Sequence, residues 1–197
     1  MLYNFLKCLL GFFMLFLVKI DVKNLDRLPK NGPVIIACNH LSNWDPIILG
    51  VYLPRKLHFM AKEELFKIFI LGSIIKQLGT FPVKRGVADR NAIREGLKIL
   101  QENKVLVLFP EGTRSKTGEL LPFQSGVALF AHKGNAPLVP IGLTGSNTIL
   151  SKGLRAQVTL NIGEPIYLDQ LFEGKVSGVQ LEEVTQILQN KVKDLLC

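Results

Sequence analysis

Five short segments are apolar almost from end to end: "VIIAC" (34–38), "LHFM" (57–60), "TFPV" (80–83), "VLVLF" (105–109) and "LVPIGL" (138–143). Each is too short for a globular helix, and β-branched residues recur among them, so they read as strands. A strand that is apolar on both faces must be covered on both. That requirement points to a sheet with parallel strands and helices on either side. A sixth run, "AQVTLNIG" (156–163), alternates apolar with polar, as expected of a sheet edge with one face in solvent.

Helical patterns lie between these runs. "DRNAIREGLKILQEN" opens on Asp89, suited to N-capping, and carries Ile93, Leu97 and Leu100 on one stripe. The last helix is expected from about 180 to 196, with Leu181, Val184, Leu188 and Val192 at helical spacing. "AKEELFKIFILGSIIKQLG" (61–79) is apolar on nearly every side, so it must be deeply buried or pressed against lipid. The expected fold is α/β: a mixed, largely parallel sheet flanked by helices. An N-terminal apolar membrane-associating helix (1–22) should precede a single domain (23–197), with the turn cluster "NLDRLPKNGP" at the junction.

That first helix is short. Cys8 to Val18 are eleven uncharged residues between Lys7 and Lys19, a helical length of about 16 Å, roughly half a bilayer's hydrocarbon core. If Lys7 snorkels, the stretch from Met1 reaches about 27 Å. A dipping anchor fits better than a span. A signal peptide would need a small-x-small cleavage site that "VKIDVKN" lacks, and a buried core helix is the remaining alternative.

The net charge of +8 implies an anionic partner: nucleic acid, acidic headgroups or a phosphorylated substrate. The basic residues are scattered and not interleaved with aromatics, which argues against nucleic acid. Cys8, Cys38 and Cys197 are an odd set without CxxC spacing, so neither a disulfide framework nor a zinc site is expected. No metal site is assigned.

Four short motifs fall at strand ends, where open α/β sheets place ligands: "NHLSNWD", "GTFPVKRG", "LFPEGTRS" and "LVPIGLTG". His40 and Asp45 would stand about 140° apart on an unbroken helix, too far around to touch. They can meet only through a turn, which Asn39, Ser42 and Asn43 favour and which Pro46 could end as the first residue of a helix. The carboxylate would then fix the imidazole tautomer and leave the other ring nitrogen as a base toward a hydroxyl. The alternative is an aspartate that caps the next helix beside an incidental histidine. In "FPEGTRS", Gly112 and Thr113 could present N–H groups to an anion and Arg114 could grip two phosphate oxygens. Glu111 would repel a phosphate unless turned toward a donor such as Arg85 or Arg114. Lys84 and Arg85 add positive charge at another strand end, and Pro140 within an apolar run suggests an edge or a pocket rim. His58 and His132 have no carboxylate nearby in sequence and read as structural.

Taken together, the motifs resemble those of the 1-acylglycerol-3-phosphate acyltransferase family over about residues 30–165. The NH-four-residues-D motif is matched by Asn39, His40 and Asp45. Gly79, Phe81 and Arg85 match the second motif, Phe109 to Ser115 the third, and Pro140 the fourth. The resemblance implies a histidine base at 40 with its aspartate at 45. It places the glycerol phosphate against Arg85 and the Glu111–Arg114 segment, with Lys84 beside them and Asn39 and Pro140 in support. It further implies lysophosphatidate as acceptor, acyl-CoA or acyl carrier protein as the donor co-substrate, no cofactor, and work at an anionic membrane surface, expected at the cytoplasmic face of a bacterial inner membrane. Another acceptor, such as glycerol 3-phosphate or a different lysolipid, stays open, as does a non-catalytic lipid-binding protein.

Overall fold

The structure, a computed structural model, describes residues 2–84, 89–151, 155–172 and 176–197. Its seven strands are β1 (Val18–Lys23), β2 (Val34–Cys38), β3 (Leu57–Lys62), β4 (Phe81–Val83), β5 (Val105–Leu108), β6 (Leu138–Thr144) and β7 (Ala156–Ile162). They form one sheet in the order β1-β7-β6-β2-β5-β3-β4. The strands β2 to β6 are mutually parallel, β7 runs antiparallel to β6, and β1 runs parallel to β7. The sheet is mixed and largely parallel, as its apolar runs require.

Every residue of β2 and β5 is buried because helices cover both faces. On one face Val34, Ile36 and Cys38 pack with Met14 of α1 (Leu2–Leu17) and with Ile48 and Leu49 of α2 (Asp45–Tyr52). On the other, Ile35, Ala37, Leu106 and Leu108 meet α4 (Arg90–Gln101), α5 (Gly126–Gly134) and α6 (Gly178–Asp194). The α6 stripe of Val184, Leu188 and Val192 is fully buried, each side chain contributing about 1.5–3 kcal/mol as an upper estimate. Asp89 caps α4, its side chain accepting from the amides of Asn91 and Ala92 at 3.0 and 3.1 Å. Its second oxygen accepts from the Lys84 amide at 3.0 Å, which ties α4 to the end of β4.

Several expectations need correction. The alternating run at 156–163 is not the sheet edge, because β1 pairs alongside it from Val18↔Ala156 to Lys23↔Asn161. "VKIDVK" alternates strictly, so it too is a half-exposed strand, and the boundary drawn at residue 22 falls inside it. Pro140 is also interior, its Cα opposite Ala37 of β2. The missing N–H leaves the ladder to β2 intact: the Pro140 carbonyl, and with it the nitrogen, points toward β7, where continuous pairing begins at Ile141. There the carbonyl accepts from the Gly163 amide at 2.8 Å.

The segment 61–79 is not one buried helix. It completes β3, makes a 3-10 turn (Glu63–Lys67) and forms the short helix α3 (Phe69–Gln77), in which only Gly72 is buried. The N-terminal helix is present, with Phe5, Phe12, Phe13, Leu15 and Phe16 more than half exposed. Its inner side packs on the domain, with Met14 buried and, nearer the start, the Lys7 ammonium donating to the Leu53 carbonyl. Among the described residues no helix is long and apolar enough to cross a membrane.

Candidate active site

Because β2 to β6 are parallel, their C-terminal ends share one edge of the sheet, and the motif loops leave from it. Asn39 and His40 directly follow β2. Asn39 is buried and bridges to β6: its side-chain amide donates to the Leu143 carbonyl at 2.9 Å and its oxygen accepts from the Leu143 amide at 2.8 Å. This reciprocal pair fixes the chain as it turns into His40.

The His40 ring nitrogen Nδ1 lies 2.7 Å from Asp45 Oδ2. That oxygen also accepts from the backbone amides of Leu41 and Ser42 at 2.7 and 2.8 Å. The turn inferred from the residue types therefore exists, and the carboxylate folds back onto it. The capping alternative does not hold, since no side chain caps α2 and Asp45 is already its first residue. Pro46 occupies the first turn of α2, where its missing N–H costs nothing. Asp45 is fully buried and the His40 side chain is 12% exposed. The acid is thus shielded from water while the base can still be reached. With Nδ1 donating to Asp45, Nε2 is the free acceptor.

The third motif closes on His40 from β5. The His40 amide donates to Glu111 Oε1 at 2.7 Å, and the Leu121 amide donates to Oε2 at 3.0 Å. The Ser115 amide donates to the His40 carbonyl at 2.8 Å. Phe109 stacks on the imidazole with ring centroids 4.1 Å apart and planes 17° from parallel. Glu111 therefore differs from its expected role. Both its oxygens serve backbone amides and it is buried, so it staples the loop to the base and does not face a phosphate. Burial pushes its carboxyl above the usual range, and the amides of His40 and Leu121 offset that only in part.

Gly112 also departs from expectation. Its N–H donates to the Phe109 carbonyl at 3.0 Å, so it is not offered to an anion. The glycine is needed for its φ of +69° and because a Cβ there would meet the Gln124 amide nitrogen at 2.4 Å. Thr113 and Arg114 are exposed, and Arg114 is one residue from the amide bonded to the His40 carbonyl. Lys84, also exposed, follows β4 at the same edge, two strands from β5. Arg85 lies outside the described residues.

Cys38 directly precedes this turn but is no nucleophile. Burial, with Asp45 and Glu111 adding, pushes its thiol well above the usual range. His58 is buried, its Nδ1 3.2 Å from the Val105 carbonyl, and burial pushes its pKa down. Gly79, at φ +90°, passes over that ring where a Cβ would lie 2.7 Å from His58 Cδ2. His132 sits in the last turn of α5. A cleft of about 1210 Å³ lies between α3, β4 and α4; Lys84 lines it, but His40 and Arg114 do not.

The stacking of Phe109 and the stapling by Glu111 were not assigned from sequence. Both residues stand in the quoted motif, yet a ring stack and a pair of amide contacts depend on how two strands are paired, which residue types do not disclose.

The acyltransferase family profile matches residues 19–144, more than half of the chain. A 1-acyl-sn-glycerol-3-phosphate acyltransferase of Bacillus subtilis is 36% identical over 178 residues, covering 89% of this chain and 87% of the relative. The protein of that name in Saccharomyces cerevisiae is 30% identical and matches 98% of this chain but 64% of its own length. Among solved structures, the 1-acyl-sn-glycerophosphate acyltransferase PlsC of Thermotoga maritima aligns with a TM-score of 0.76 at 26% identity, covering 98% of this chain and 80% of that one.

Proposed function

The chain belongs to the acyltransferase family, and from that premise we propose that it transfers a fatty acyl group from a thioester to the sn-2 hydroxyl of lysophosphatidate, giving phosphatidate. The observation that carries this reading is the 2.7 Å contact between His40 Nδ1 and buried Asp45, at the edge of the sheet from which the motif loops leave. Relatives of the same name in bacteria and yeast support the acceptor assignment.

His40 Nε2 takes the hydroxyl proton as the oxygen attacks the thioester carbonyl. Asp45 stabilises the imidazolium that forms. The tetrahedral intermediate collapses, the C–S bond breaks, and the departing sulfur recovers the proton from His40. The protein supplies no nucleophile, which suits a site whose only adjacent thiol, Cys38, is buried and held protonated. General-base help of this kind contributes roughly 10² to 10⁴ in rate. Arg114, with Lys84 and Arg85, binds the acceptor phosphate. The donor is acyl-CoA or an acylated carrier protein, and no cofactor takes part.

The acceptor and product are lipids, and α1 carries an exposed apolar face of about 24 Å in length. The helix lies in one leaflet of an anionic membrane, at its cytoplasmic face, with the net positive charge drawing the protein to it. The test is release of free thiol from acyl-CoA with a panel of acceptors. Lysophosphatidate is expected to be the fastest. Faster turnover of glycerol 3-phosphate or another lysolipid would overturn the acceptor assignment, and no thiol release with any acceptor would leave a lipid carrier.

A further inference from the structure

Four consecutive large apolar residues at the start of α3 face outward. Ile68 is 51% exposed, Phe69 91%, Ile70 68% and Leu71 39%. A single exposed leucine needs no explanation, but a contiguous run of this size does. The run also makes the outer end of its helix, where only Gly72 is buried and the side turned to the neighbouring cleft carries Ser73, Lys76 and Gln77. This tip contributes little to the core and exposes a large area to water.

Its place in the fold is telling. β3 ends at Lys62 and is parallel to β2, so the chain running on to Ile68 leaves the sheet from the same edge as His40. β1 runs opposite to β2, so it begins at that edge and α1 ends there. Consistent with this, Arg155, just ahead of β7, donates to the Leu15 carbonyl at 2.7 Å. The exposed Phe12, Phe13 and Phe16 of α1 thus approach the His40 edge at the β1 flank, and the 68–71 tip stands beyond β3 toward the β4 flank. Lys67 and Lys76 flank the tip in sequence and stand at the margin of the cleft, exposed and with no acidic partner among the described residues; Lys62 is paired with Glu64 at 3.4 Å.

We infer that residues Ile68 to Leu71 are a second membrane footing, which inserts into the same leaflet as α1 and, with it, straddles the opening of the His40 site. The inference rests on the reading that the acceptor is a membrane lipid. The flanking lysines suit anionic headgroups while the four apolar side chains enter the acyl region. Two footings on opposite flanks fix the tilt of the sheet edge over the bilayer. One helix alone leaves the molecule free to roll about it.

The decisive variant is the double substitution Phe69→Ser/Ile70→Ser in the full chain. Both sites are exposed, so the thermal midpoint should stay close to that of the parent. Partition onto vesicles of mixed neutral and anionic phospholipid should weaken at least roughly tenfold. Turnover of long-chain lysophosphatidate presented in those vesicles should fall in step, while turnover of a soluble short-chain lysophosphatidate is unchanged. A Phe69→Trp variant should gain quenching by brominated lipids above the Trp44 background. Unchanged partition in the double variant overturns the inference. So does a parent dimer in sedimentation that the double variant abolishes, since the tip would then be a contact between copies. If the parent fails to turn over any lysophosphatidate, the functional reading falls, and vesicle partition and lipid quenching still decide the footing.

Discussion

Replacing Asp45 with asparagine separates two contributions of the carboxylate, its charge and its control of the tautomer. The oxygen that meets His40 also accepts from the amides of Leu41 and Ser42. An asparagine keeps its carbonyl at that position, because turning the NH2 inward would set it against two N–H donors. The His40 Nδ1–H then still has an acceptor, and Nε2 remains the base. What is lost is the negative charge that stabilises the imidazolium. A hydrogen bond to a charged group exceeds a neutral one by roughly 1–2 kcal/mol, which corresponds to about 5- to 30-fold in rate. An asparagine that forced the wrong tautomer would cost on the order of 10⁴. The assay is thiol release under saturating donor, with kcat and KM for lysophosphatidate measured separately. The expectation is a kcat reduced about 5- to 30-fold, KM nearly constant, and a lower thermal midpoint, because the amides of Leu41 and Ser42 lose a charged acceptor and the new NH2 takes the buried, unpartnered place of Oδ1. A loss below twofold refutes the role of the charge, and a loss near 10⁴ refutes the argument that the two amides hold the orientation.

Glu111→Gln should lower both stability and kcat, because one carboxamide oxygen cannot serve the amides of His40 and Leu121 together. The orphaned donor costs about 1–3 kcal/mol, read as a lower thermal midpoint with kcat affected more than KM. Arg114→Ala should chiefly raise KM for lysophosphatidate in steady-state kinetics, the outcome expected of a residue that binds the acceptor phosphate equally in ground and transition states, as proposed. His58 makes folding sensitive to acid. Burial lowers its pKa below the usual 6.5, so its contribution is complete above that value and is lost as pH falls through the lowered one. The drop in thermal midpoint between about pH 7.5 and about pH 5.5 should be smaller in His58→Gln than in the parent.

What could be read from the chain followed the strength of its local signals. The fully apolar runs 34–38 and 105–109 became the buried strands β2 and β5 because nothing else satisfies a segment apolar on both faces. Asp89 capped its helix as its position suggested. The His40–Asp45 pair was legible because the acid folds back onto the amides of its own turn, Leu41 and Ser42, whereas the distant contacts of Asn39 and Glu111 that brace the turn were not. Strand order was harder. An alternating strand looks the same at the edge or one place in, and only the pairing of β1 with β7 distinguishes them. β1 itself was hidden by the apolar helix that runs into it without a break. The place of Glu111 was hidden for a related reason: in sequence it belongs to a segment that suggests phosphate binding or an ion pair with an arginine, whereas the fold sets its two oxygens against amides from residues 40 and 121.

The central claim is that one imidazole removes the acceptor's proton. Its most direct test is single-turnover acyl transfer by His40→Ala, with binding of lysophosphatidate measured on the same preparation. A fall in rate of roughly 10² to 10⁴ with binding retained is predicted. Transfer at the parent rate by a folded His40→Ala protein would contradict it.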